Sequence, residues 1–266
     1  MKFTLFAFLF FFDFATTKLV YAINPATTYT VIAIRGAVKN AGNGLLLRTR
    51  SRFNQEDRLY FSSPKDKLLV VNELGQTFLC LYADTNKGFQ LHPSKTPQNT
   101  RPGAPLNFLA LNQYFSIDTI YVFDNQLEVI TNSVECPMNK EQFFYVQFKW
   151  KDKMVNKKLS FNGDTLLISR EDLYQVKGQQ IEEGSVENQA LLHYDLPRQV
   201  SLPISDLKLV FLNTDQLTEE ISTLLDTIDK FDKETQYNKI EAFIFTYYGR
   251  TDEANFEKWL TKHFRE

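Results

Sequence analysis

The stretch 144-FYVQFKWKDKMVNKKLSFNGDTLLIS-169 decides how this chain is read. Phe144, Val146, Phe148 and Trp150 alternate with Tyr145, Gln147 and Lys149, a period of two that turns one aromatic face toward a core. Asn162-Gly163 then separates residues 154–161 from 164–169, and that dipeptide supplies the positive φ values of a tight hairpin. Antiparallel strands in a meander follow from this spacing.

Upstream, residues 118–123 and 127–130 read as strands around a turn at Asp124-Asn125, and downstream 191–194 and 206–212 add further strands. Residues 171–190 are polar and fit either state. Past residue 213 the period changes. Leu217, Ile221, Leu224, Leu225, Ile228 and Phe231 recur every three or four positions, with Asn213 or Thr214 as cap and Asp215 in the first turn. Tyr237, Ile240, Phe243, Ile244 and Tyr247 repeat the pattern up to Gly249, and Phe256, Trp259 and Leu260 mark a terminal helix. Three amphipathic helices must bury their stripes against each other or a preceding sheet, so 106–266 is expected to be an α+β domain.

Residues 84–105 hold four of the nine prolines and no sustained apolar period, which predicts a linker or long loop. Before it, residues 28–37, 44–49, 57–61, 67–72 and 76–82 have strand character, and five short strands suggest a small antiparallel barrel or sandwich over 23–83. The expected fold class is therefore α+β, a small all-β front followed by an antiparallel meander with C-terminal amphipathic helices. Lys2 and the apolar run Phe3 to Phe12, with Ala22 as a small cleavage residue, predict a signal peptide over 1–22. That run is shorter than the roughly 20 residues of a membrane span, and the expectation is an exported protein, periplasmic or secreted, without an integral span once the signal is removed.

The net charge of -2 on 266 residues hides an asymmetry. Residues 23–105 carry 11 Lys or Arg against 5 Asp or Glu, giving +6, while 106–266 carry 17 against 26, giving -9. Arg48, Arg50 and Arg52 stand two apart, so on a continuous strand they would share a face and offer paired donors to carboxylate or phosphate oxygens. The competing reading is a solvated face that protects a sheet edge. Nucleic acid is not an expected partner, because the whole chain is not basic and carries no nucleic-acid-binding motif. An acidic envelope polymer, an acidic envelope protein or the chain's own acidic half could meet the arginines, and oligomeric state is left open.

Catalytic patterns are sparse. The three histidines are isolated, no metal-ligand spacing occurs, and phosphate-cradling or nucleophile-elbow motifs are missing, so no metal or cofactor and no catalytic residue is expected. His193 with Asp195 could act as base and orienter for Cys136 or Cys80 in an alternative extracytoplasmic hydrolase. Cys80 and Cys136 could equally form one disulfide, worth about 4 kcal/mol, or remain two separate buried thiols. Glu219-Glu220 and Asp252-Glu253 are read as helix-beginning acids. Tyr247, Tyr248, Arg250, Phe256 and Trp259 could line a groove, although their helical spacing favours a core.

Val31, Ile34, Gly36 and Val38, then Leu45 to Leu47, Asp57 to Phe61, Leu68 to Val71, Gly75 and Phe78-Leu79 carry a resemblance. Over about 55 residues they are similar to the β-rich envelope domain of the ferric-citrate regulator (FecR) family and to front domains of uncharacterised exported Bacteroidota proteins. The chain departs from that pattern at Arg50-Ser51, where a Gly-Asp pair is usual. The resemblance implies a β-rich binding or assembly module in an envelope protein and assigns no functional residue. The expected function is non-catalytic binding or assembly at the cell envelope, with Arg48, Arg50 and Arg52 in contact.

Overall fold

The computed structural model describes residues 27–95, 106–116, 118–197 and 200–264. The signal peptide expected over 1–22 lies outside the described residues. Strands β1 (Thr28–Arg35), β2 (Val38–Asn40), β3 (Arg52–Asn54), β4 (Leu59–Phe61), β5 (Lys67–Asn72), β6 (Thr77–Tyr82) and β7 (Phe89–Pro93) build the front. Helix α1 (Phe108–Ser116) precedes β8 (Ile120–Val122), β9 (Gln126–Ile130), β10 (Phe143–Trp150), β11 (Lys153–Lys158), β12 (Ser160–Asn162) and β13 (Thr165–Ser169). A single turn, α2 (Arg170–Leu173), leads to β14 (Gln175–Val176), β15 (Gln179–Gln180), β16 (Glu187–Leu196), β17 (Val200–Leu207) and β18 (Leu209–Phe211). Helices α3 (Thr214–Ile228), α4 (Lys233–Tyr247) and α5 (Glu253–Phe264) close the chain. The architecture is α+β with mostly antiparallel sheets.

The front strands form an open antiparallel sheet in the order β3-β1-β5-β6-β7, with β2 and β4 paired beside it, so the closed barrel is not formed among the described residues. Two expected segments also change. Residues 44–49 contribute a single bridge, Leu46 to Lys39, in place of a strand, and β7 occupies part of the stretch read as a linker by pairing with β6.

The reason the sheet stays open lies in β5. Leu68, Leu69, Val70 and Val71 are all fully buried, so this strand is covered on both faces. Leu68 and Val70 join Tyr29, Val31, Val38, Phe53 and Cys80 in the front core. Leu69 and Val71, with Ile32 and Ala33 of β1, join Leu217, Ile221, Leu224, Phe243, Ile244 and Trp259 in a second core. The C-terminal helices thus use the front sheet as their floor, and a barrel would have hidden the surface they need.

A third core lies under the four-stranded sheet β11-β10-β16-β17 and the three-stranded sheet β12-β13-β9. Phe144, Val146 and Phe148 are buried in it, as their alternation requires. Strands β18 and β8 pair in parallel and deliver the chain to α3. Asn255 of α5, buried, fastens the turn before β9: its Oδ1 accepts from Phe123 N at 2.8 Å and its Nδ2 donates to Gln126 O at 2.8 Å. Among the described residues no helix is long and apolar enough to cross a membrane.

Candidate functional site

The arginine run does not form one strand. Arg50 has φ 69, a left-handed conformation unusual for a side chain this large. Backbone bonds hold it there: Arg50 N donates to Val31 O and Val31 N to Ser51 O, each at 2.8 Å, while Ser51 N reaches Arg48 O at 2.9 Å. Ser51 Oγ also accepts from Arg48 N at 2.9 Å. The turn resets the register between Arg48 and Arg52, so the expectation of three arginines on one face is corrected: Arg50 and Arg52 come together and Arg48 does not join them.

Arg50 and Arg52 line a cleft of about 270 Å³ at the seam between the front sheet and α3. Thr28 and Thr30 of β1 contribute hydroxyls, Asn72 and Glu73 come from the β5–β6 turn, and Thr223, Asp226 and Thr227 project from α3. Arg50 Nη2 lies 3.3 Å from Asp226 Oδ2, with the two side chains 58% and 66% exposed. Asp226 stands in the last turn of α3, where the helix dipole disfavours an acid and where α3 carries no base of its own. Arg50 supplies the missing cation from the other half of the chain. Arg52 is exposed and has no ion pair or side-chain hydrogen bond among the described residues.

Neighbouring seam contacts hold the cleft's walls in place. Lys230 Nζ donates to Glu73 O at 2.9 Å and Lys239 Nζ to Gly75 O at 2.7 Å, so the β5–β6 turn is held by the α3–α4 connection and by α4. Asn72 Oδ1 accepts from Leu74 N and Gln76 N at 3.0 and 2.9 Å, which shapes the turn that carries Glu73. A cleft with one paired guanidinium and one that has no ion pair among the described residues can receive a carboxylate or phosphate. Among the described residues it offers no base and nucleophile in hydrogen-bonding contact.

The other sequence candidates separate. Cys80 and Cys136 are free thiols buried in different cores, so the disulfide is not formed. Burial pushes the Cys80 thiol up to about 12 and the Cys136 thiol up to about 11, with the Glu135 carboxylate a lesser cause for Cys136. Neither is a poised nucleophile. His193 stacks on Tyr145 across β10 and β16 at 5.0 Å, and its Nδ1 lies 3.3 Å from Ser201 Oγ rather than being oriented by Asp195. Burial holds its pKa below the usual histidine range. Tyr247, Phe256 and Trp259 are core residues.

Glu220 is not a helix-start acid: it sits within α3, 1% exposed, facing the seam. Gln216 Nε2 donates to Glu220 Oε1 at 2.8 Å and the Tyr248 hydroxyl donates to Glu220 Oε2. Burial raises its pKa to about 6, against the opposing effect of those two hydrogen bonds. Its position in the stripe, three residues after Leu217 and four before Leu224, was the available signal. Compared with protein-family models, curated proteins and solved structures, the chain matches none.

Proposed function

We propose that this chain is an exported, non-catalytic binding or assembly protein of the cell envelope, and that the seam cleft takes anionic groups of an acidic polymer or protein partner. The observation that carries this reading is Arg52, an exposed guanidinium without an ion pair among the described residues, beside Arg50, whose carboxylate partner Asp226 is solvent-exposed. Paired guanidinium forks match carboxylate and phosphate oxygens in geometry as well as charge. The surrounding threonines add hydroxyls suited to a polar ligand.

The reading is tested by retention of the mature protein on lipid-free envelope material. Retention is expected to fall as salt rises and to weaken severalfold in the Arg50→Ser/Arg52→Ser double variant. Retention insensitive to both removes the cleft as the binding site.

A further inference from the structure

The turn that separates the arginines places Arg48 on a different surface. Around β2, three short segments lie side by side: Lys39 bridges Leu46 on one flank and pairs with Tyr60 of β4 on the other. Val38, Leu47, Leu59 and Phe61 point inward and are buried. The opposite face shows Leu46 at 44% and Tyr60 at 64% exposure, and Leu45, before Leu46 in the chain, is 65% exposed. Arg58 continues the β2–β4 pairing, its O accepting from Ala41 N at 2.8 Å, so alternation puts it on the same side as Tyr60, while Arg48 is exposed two residues past the Leu46 bridge. The result is a surface on which Leu46 and Tyr60 flank Lys39 with Arg58 beyond Tyr60, and Leu45 and Arg48 are exposed on either side of Leu46 in the chain.

Lys39, Arg48 and Arg58 have no ion pair among the described residues. Asp57, adjacent to Arg58, is engaged by Asn40 Nδ2 at 3.0 Å and Asn54 N at 2.9 Å, and Glu56 pairs with Lys87 at 3.1 Å. A solvated edge needs charges but not a leucine and a tyrosine held outward by backbone pairing beside a second exposed leucine.

The geometry points to this face as a docking surface for an anionic phospholipid bilayer. Leu45, Leu46 and the Tyr60 ring would enter the interfacial layer, where a tyrosine keeps its hydroxyl wet, while Lys39, Arg48 and Arg58 meet the headgroup phosphates. The charge pattern chooses lipid over an apolar protein surface, since an apolar partner would leave the central Lys39 desolvated and unpaired. This site is separate from the cleft and does not rest on it.

Flotation of the full mature chain with vesicles tests the assignment. Binding is expected to vesicles of equimolar phosphatidylglycerol and phosphatidylcholine and to be much weaker with phosphatidylcholine alone. Leu45→Ser/Leu46→Ser should lower the affinity about tenfold through lost apolar burial, and Lys39→Gln/Arg58→Gln about tenfold through lost headgroup attraction. All four residues are exposed, so melting temperatures should stay close to the wild type and Arg50→Ser/Arg52→Ser should still float. A wild-type protein that ignores anionic vesicles, or a leucine variant that floats as well as the wild type, overturns the assignment. Variants that lose only retention on lipid-free material overturn it in favour of a polymer or protein partner.

Discussion

Arg50 and Asp226 meet at 3.3 Å across the seam, joining a left-handed turn of the basic front to the last turn of an acidic helix. The opposite charges of the two parts of the chain are therefore in direct contact at one point. Elsewhere on the seam the lysines address carbonyls: Lys67 Nζ donates to Tyr247 O at 2.5 Å, and Lys230 and Lys239 donate to the β5–β6 turn.

Because both members of the Arg50–Asp226 pair are more than half exposed, the pair contributes little to folding. Asp226→Asn is expected to change unfolding free energy by about 0–1 kcal/mol, measured by urea denaturation. It also relieves the helix dipole of an acid, which pushes the change toward the lower end.

Glu220 carries the pH dependence of the seam. Its folded pKa, raised by burial to about 6, lies above the ordinary value of 4.5. The associated stability is fully present below pH 4.5 and is lost as pH rises through about 6, reaching roughly 2 kcal/mol above neutrality. Glu220→Gln removes the buried charge while Gln216 can turn its carbonyl toward the new amide. Its advantage over the wild type should grow between pH 4.5 and 7 and then level off, as read by chemical denaturation at each pH; a flat difference would contradict the assignment.

Gly75 tests the fit of the helices on the front sheet. Its φ is 71, and a Cβ there would lie 2.7 Å from Phe231 Cε2 and 3.2 Å from Ile228 Cγ2. Gly75→Ala is expected to destabilise by about 2–3 kcal/mol, combining backbone strain with overpacking. Fluorescence and circular dichroism should report one shared transition, since the sheet and the helices bury the same core.

The two thiols should be silent in the native protein. Both are buried and free, with pKa values pushed up to about 12 for Cys80 and about 11 for Cys136. A thiol-specific chromogenic reagent is expected to react with neither in buffer and with both in denaturant. No reaction in denaturant would mean that they are bridged.

Much of the fold was legible because periodicity reports burial directly. The alternation from Phe144 to Trp150 and the 3.6-residue stripes after Asn213 both appear where they were expected, with Asn213 Oδ1 accepting from Gln216 N at 3.0 Å as the cap of α3. What stayed hidden depends on which surface faces which. Leu68 to Val71 showed an unbroken apolar run, the mark of a strand covered twice, but nothing local says that helices far along the chain provide the cover. Helix α1 was overlooked although Asn107 precedes Phe108, Leu111 and Phe115 at helical spacing, and its Oδ1 accepts from Ala110 N at 2.9 Å. The arginine row failed at one backbone angle. A non-glycine residue in the left-handed region leaves no signature in composition, and Arg50 alone divides the candidate site between the seam cleft and the β2 face.

The cleft is tested most directly by comparing two variants that act on it in opposite directions. Asp226 competes for Arg50, whereas Arg52 has no internal partner among the described residues, so retention on lipid-free envelope material should strengthen in Asp226→Asn and weaken in Arg52→Ser, with both differences shrinking at high salt. Equal retention of the two variants, or a shift of both in the same direction, would contradict an anion site built on Arg50 and Arg52.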